Sequence, residues 1–159
     1  MTAAVAIEPE RLPFCLRDGT ADDHAFVMDS WLLEEKEASG HIERGHFVRW
    51  QKRMQRDALA RPSSRLVVAC PPDDPSTIIG WLLFADTRPR VVHYVFVRFP
   101  ARRLGVARML LDGLSSEPEI IYAARPARVS EGGRWIANPV TARIPSTWRH
   151  MPRAAFFDP

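Results

Sequence analysis

The chain has 159 residues, of which 46% are hydrophobic, and a formal charge of +3, which suits one globular domain with a single core. No apolar run reaches the ~20 residues of a membrane span, and Ala3 to Ile7 run straight into Glu8 and Glu10 with no basic leader, so neither a membrane anchor nor a secretory signal is expected and the cytoplasm is. Cys15 and Cys70 lack CxxC or Cys/His ligand spacing, which predicts two reduced thiols and no disulfide.

Residues 1–12 read as a loose leader, obstructed by Pro9 and followed by Pro13, and residues 13–159 as one domain. Phe14–Arg17 predicts a short strand. Thr20 is a good N-cap, and Asp23 three residues on completes a capping-box pattern. The helix after it places Ala25, Met28 and Leu32 on one face, reinforced by Trp31, and fades near Gly40. A second helix begins near His46 with the stripe Phe47, Trp50, Met54 and Ala58, and Pro62 ends it. Arg65–Cys70 and Thr77–Ala85 predict a hairpin about the turn Pro71-Pro72-Asp73-Asp74-Pro75. Its second strand is apolar almost throughout and is expected at the centre of a sheet.

Val91–Val97 is the next strand. From about Arg103 a helix follows with Ala107, Leu110, Leu111 and Leu114 as its buried stripe, closed by Gly113 and Pro118. Ile120–Ala123 predicts another strand. Residues 125–159 carry five prolines and Gly132-Gly133, show no helical stripe, and offer Arg134–Ile136 and Val140–Ile144 as strand candidates.

A buried strand that runs through a small-residue turn into a helix is a device for holding phosphate. The first amides of the helix have no intrahelical acceptor, and the helix dipole puts partial positive charge there. Gly105 and Ala107 keep side chains away from those amides, and Arg102 and Arg103 add full charges. The segment Arg102-Arg103-Leu104-Gly105-Val106-Ala107 therefore reads as a pyrophosphate seat. Six arginines and no acid lie between Arg88 and Arg108, which suits a polyanionic cofactor, a nucleic acid or simply a solvated basic face.

The Arg-x-x-Gly-x-Ala pattern after a hydrophobic strand resembles the signature of the GNAT superfamily of acyl-CoA-dependent N-acyltransferases. The order strand, helix, helix, three strands, helix, strand over residues 14–124 is similar to the order in that family. Short acyltransferases of this look also occur in phages and prophages. The resemblance implies an α/β fold with a central mixed, mostly antiparallel sheet flanked by helices; residues 125–159 depart from it, with an irregular C-terminal part in place of the usual fourth helix and two further strands. It implies acetyl-CoA as co-substrate, held by the amides of Arg103, Leu104, Gly105, Val106 and Ala107 with Arg102 and Arg108 screening charge. Val95 and Val97 line the pantetheine arm, and main chain near them bonds the thioester carbonyl.

His93 is the general-base candidate, because its ordinary pKa is near neutrality and alternation puts it on the face of Val91, Val95 and Val97; it reads equally as a core histidine. Tyr122 is the general-acid candidate by position on the neighbouring strand, and reads otherwise as a packing aromatic. The family's usual tyrosine belongs to the helix absent here, so nothing carries over to Tyr122 by motif. Glu34 and Glu35, with Asp29 and Glu37, could attract a cationic amine or be a solvated helix end. Trp31 and Trp50 could line an acceptor pocket or belong to the core. His41 and His46 are wrongly spaced for two ligands on one helix face, and no metal is expected. The first expectation is an N-acetyltransferase acting on a small-molecule or macromolecular primary amine. The alternatives are a non-catalytic CoA- or nucleic-acid-binding module and an acyltransferase that modifies a nucleobase amine. No membrane partner is expected, and pairing into a homodimer stays open.

Overall fold

The computed structural model describes residues 13–38, 44–114, 120–122, 128–131, 134–137 and 148–150. Among the described residues the strands and α-helices run β1 (Cys15–Asp18), α1 (His24–Ala38), α2 (Arg44–Ala60), β2 (Ser64–Cys70), β3 (Gly80–Ala85), β4 (Arg90–Val97), α3 (Val106–Asp112), β5 (Ile120–Tyr122), β6 (Arg128–Glu131), β7 (Arg134–Ala137) and β8 (Trp148–His150). The main sheet has the order β1-β2-β3-β4-β5-β8. Its first three pairings are antiparallel, and β4–β5 and β5–β8 are parallel. This is the mixed, mostly antiparallel sheet with flanking helices that the resemblance implied.

Local chemistry sets the boundaries. The Asp74 carboxylate accepts from the Ser76 amide at 3.2 Å, the Ser76 hydroxyl at 2.6 Å and the Thr77 hydroxyl at 2.6 Å. These bonds hold Ser76 and Thr77 in the turn, so β3 begins at Gly80 and not at Thr77. As expected, β3 is buried along nearly its whole length. The Thr20–Asp23 capping box is present, with the Thr20 amide donating to Asp23 at 2.7 Å. The first turn, Ala21–Asp23, is 3-10 and precedes α1.

Two helix faces differ from the sequence reading. On α1 the buried residues are Val27, Ser30 and Trp31, whereas Ala25 is exposed. Ser30 is buried because its hydroxyl donates to the Phe26 carbonyl at 2.8 Å and accepts the Trp81 indole N–H at 2.9 Å. On α2, Trp50 is 55% exposed, and Gln51 and Gln55 share the buried face with Phe47, Met54 and Ala58. Hydrophobicity alone favoured the tryptophan there. The amides of Gln51 and Gln55 have no hydrogen-bond partner among the described residues.

The sheet separates two cores. Leu82, Val92 and Ile120 pack with Val106, Leu110 and Leu114 on the α3 side. Val68, Trp81 and Leu83 pack with Val27, Trp31, Met54 and Ala58 on the α1–α2 side. The switch of sides from Trp81 to Leu82 to Leu83 follows the two-residue strand period. Buried side chains of this size each stabilise by about 1.5–3 kcal/mol relative to exposure. Gly80 lets α3 approach: a Cβ there would lie 2.7 Å from the Phe96 carbonyl oxygen and 3.2 Å from Val106 Cγ1. The buried positions here are Val106 and Leu110 of α3 and Leu114 just beyond it, with Ala107 and Leu111 only half-buried, and the helix starts three residues later than expected.

Within the C-terminal part, Arg134–Ile136 forms most of β7, which pairs with β6 in a separate two-stranded sheet. The candidate at Val140–Ile144 lies outside the described residues.

Candidate active site

The site is built at a fork, the β4 edge that among the described residues has a neighbour over only part of its length. β5 pairs with β4 only at Arg90–Ile120, Val91–Ile121 and Val92–Tyr122. Among the described residues, nothing pairs with β4 beyond Val92 on that edge. The other edge fixes the phase of the ladder. The Arg98 amide donates to the Ile79 carbonyl at 2.9 Å, so residues 94, 96 and 98 turn their main-chain groups toward β3. Alternation then aims the N–H and C=O of Val95 and Val97 into the open fork.

A bulge sits at the start of the fork. Leu83 pairs with Tyr94 and Phe84 with Val92, so His93 has no opposite residue and is the extra one. The bulge resets the faces beyond it. Val92 joins Val95 and Val97 on the α3 side, and Tyr94 and Phe96 turn toward α1. The expectation that His93 shares a face with Val91, Val95 and Val97 is corrected accordingly, since strict alternation fails across an inserted residue. His93 is buried, at 3% exposure, beside the last β4–β5 pair. Tyr122 is that pair's other member and also lies opposite His150 of β8. The two residues expected as base and acid therefore stand at the same fork, while the Tyr122 side chain lies outside the described residues.

The phosphate-seat segment follows β4 directly. A 3-10 turn, Phe99–Ala101, intervenes, and then Arg103 and Gly105 both take left-handed backbone at φ 72° and 84°. Left-handed backbone costs glycine little, which explains Gly105. The first helical bond of α3 runs from the Met109 amide to the Gly105 carbonyl at 3.0 Å. The amides of Val106, Ala107 and Arg108 precede it and have no helical acceptor. Arg102, Arg103, Leu104, Gly105 and Arg108 are exposed, and a Cβ added to Gly105 would meet nothing within 4 Å. The turn is open to a ligand.

The charges are arranged differently from the sequence reading. The Arg102 guanidinium bends back across the fork, donating from Nε to the Val97 carbonyl at 3.1 Å and from Nη2 to the Glu34 carboxylate of α1. An expected cofactor residue and an expected substrate residue thus pair with each other. Arg90 binds Asp86 at 2.9 Å, and Arg98 lies 4.7 Å over the Phe26 ring. The run of arginines is therefore partly neutralised by acids remote from it or just before it. Trp31 is 1% exposed and packs between Trp81 and Tyr94, with ring centroids 5.8 and 5.4 Å away, which places it in the core. The Glu35 side chain lies outside the described residues.

The sequence reading missed a cleft of about 550 Å³ lined by Arg17, Asp23, Phe26, Thr77 and Arg98 among others. Its lining comes from the end of β1, the start of α1, the β2–β3 turn and the end of β4, so no contiguous motif marks it. Asp23 there accepts both Arg17 Nη1 and Nη2 at 2.8 Å. The Arg17 hydrogen bonds hold its carboxyl well below the usual carboxylate range, at about 2, against the opposing effect of burial. Among the described residues, no cluster of three or more His, Cys, Asp or Glu side chains gathers, and no helix is long and apolar enough to cross a membrane.

No family model and no curated protein sequence matches the chain. Solved structures do. A predicted acetyltransferase from Clostridium acetobutylicum with acetyl-CoA superimposes with a TM-score of 0.53 at 16% identity, covering 82% of this chain and 87% of that one. A presumptive acetyl transferase from Pyrococcus furiosus gives 0.53 at 14% identity, covering 81% and 87%. The chain shares the fold of these two acetyltransferase structures.

Proposed function

We propose that the chain is an acyl-CoA-dependent N-acyltransferase that moves an acetyl group from acetyl-CoA to a primary amine. One observation carries this reading: the N–H groups of Val95 and Val97 lie on the β4 edge turned away from β3, where no described strand pairs with them, and that edge leads into an exposed turn whose first helical amides have no helical acceptor. The fit extends to the charges. The pyrophosphate would lie on the amides of Val106, Ala107 and Arg108, with Arg103 and Arg108 beside it, and the pantetheine arm would run along the open edge of β4. Bound there, acetyl-CoA supplies an activated acyl group, and the rest of the work falls to this chain. A main-chain N–H of Val95 or Val97 donates to the thioester carbonyl and polarises it. The amine must be neutral to attack, and His93 at the bulge is the side chain suited to take its proton. Tyr122, across the fork, is suited to return a proton to the departing sulfur. Glu34, released from Arg102, is suited to attract the amine while it is still an ammonium. The likeness to the two acetyltransferase structures supports the fold on which this arrangement depends.

The alternative of a nucleic-acid-binding module has less support, because Arg90 and Arg102 are already paired with acids. A panel of amines, including polyamines, amino acids, peptides and nucleobase analogues, should be assayed by thiol release from acetyl-CoA. Turnover of at least one amine is expected. His93→Gln should lower kcat about 10²-fold or more while leaving acetyl-CoA binding intact. Acetyl-CoA binding without turnover of any amine would favour the non-catalytic reading.

A further inference from the structure

We infer that Cys15 and Cys70 form a thiol pair that an oxidised low-molecular-weight disulfide converts into a cross-strand disulfide between β1 and β2. The two residues are direct partners in the antiparallel register, and their Sγ atoms are 3.5 Å apart. The Gly19 amide donates to the Leu66 carbonyl, and alternation from that pair makes Cys15–Cys70 a hydrogen-bonded pair, with Cα atoms separated by about 5.5 Å. Disulfides span Cα separations of about 4.4–6.8 Å, so the Cα spacing falls within the range, and closure needs the Cβ atoms drawn in by about 1 Å and the sulfurs brought to bonding distance. Both cysteines are free in this structure. The pair is also the terminal rung of β1, which among the described residues is an edge strand paired with β2 alone.

The two thiols are not equivalent, and this sets the order of events. Cys15 is half-buried at the start of β1, whereas Cys70 is fully buried. Burial pushes the Cys70 thiol up from its ordinary pKa, so Cys15 is the one that meets a soluble reagent first. With oxidised glutathione, the Cys15 thiolate attacks one sulfur and expels one glutathione thiolate, leaving a mixed disulfide on Cys15. Cys70 then gives up its proton and attacks the Cys15 sulfur, and the second glutathione leaves as thiolate. Two protein thiols are oxidised, one glutathione disulfide is reduced, and the two protons released by the cysteines pass through solvent to the two leaving thiolates, giving two glutathione thiols. The closed bridge ties β1 to β2 two residues from Arg17, whose guanidinium holds Asp23 at the start of α1.

The experiment incubates the native full chain with oxidised glutathione, then counts thiols in denaturant and measures intact mass without reductant. The wild type should lose both of its thiols and two hydrogen masses while staying monomeric. Cys70→Ser should stop at a stable Cys15–glutathione adduct, because the resolving thiol is gone. Cys15→Ser should remain unmodified under the same conditions, because Cys70 is out of reach. Two thiols still titratable in the treated wild type would overturn the inference. So would a wild type that keeps the glutathione adduct as Cys70→Ser does, or one that cross-links into dimers.

Discussion

Replacing Asp23 with Asn removes the carboxylate that joins β1 to the start of α1. Asp23 accepts two hydrogen bonds from Arg17 at 2.8 Å and one from the Thr20 amide at 2.7 Å, with its side chain 8% exposed. Arg17 lowers its pKa from 3.8 to about 2, with burial opposing. A difference of that size between unfolded and folded states stabilises the fold by about 2 kcal/mol at neutral pH. The sign follows from the direction. Because the folded pKa is depressed, the contribution is complete above the unfolded value of 3.8 and is lost as pH falls toward 2. Roughly half of it should be gone at pH 3. Urea denaturation of wild type and Asp23→Asn between pH 7 and pH 3 measures this directly. The gap between the two should be about 2 kcal/mol or more at pH 7, since the variant also leaves the Arg17 guanidinium without its anion, and it should narrow by about 1 kcal/mol by pH 3. A gap that stays constant from pH 7 to pH 3 would refute the account of Asp23.

Three further outcomes test the packing and the turn. Gly80→Ala should lower stability by about 1–3 kcal/mol, because its Cβ would press on the Phe96 carbonyl and on Val106; an unchanged melting temperature would show that α3 can shift freely. At Gly105 the space is open but the backbone is left-handed, so Ala should cost about 1–2 kcal/mol and Asn noticeably less. Equal losses for the two would mean that backbone conformation is not what fixes this glycine. Gln51→Met and Gln55→Met should each raise stability by about 1 kcal/mol or more, since both carboxamides are fully buried without partners among the described residues; destabilisation would show that those amides are satisfied.

Much of this architecture could be read from local signals. The Thr20–Asp23 capping box, the proline-rich turn at 71–75 and the long apolar run ending at Ala85 each act within a few residues. Each appears in the structure close to its expected place. The features that depend on distant partners were not legible. Trp50 faces outward and Gln51 inward on α2 because α1 and the sheet define the buried face, which the stripe of hydrophobic residues did not reveal. The bulge at His93 has no sequence mark, since the apolar run Val91 to Val97 looks the same with or without an inserted residue. The contact between Arg102 and Glu34 joins positions 68 apart. The use of main chain near Val95 and Val97 was expected from a family resemblance and not from periodicity. Among the described residues, β5 pairs with only the first three residues of β4.

The melting temperature of the full chain against increasing acetyl-CoA is the most direct test of the seat beyond β4. A ligand at a hundred times its Kd stabilises a fold by ~2.7 kcal/mol, or about 5–10 °C for a chain of this length. We expect that rise in the wild type and its loss, relative to its own unliganded value, in Gly105→Leu. A flat profile with acetyl-CoA and with longer acyl-CoA thioesters, or an undiminished rise in Gly105→Leu, would contradict the placement of a diphosphate carrier on this turn.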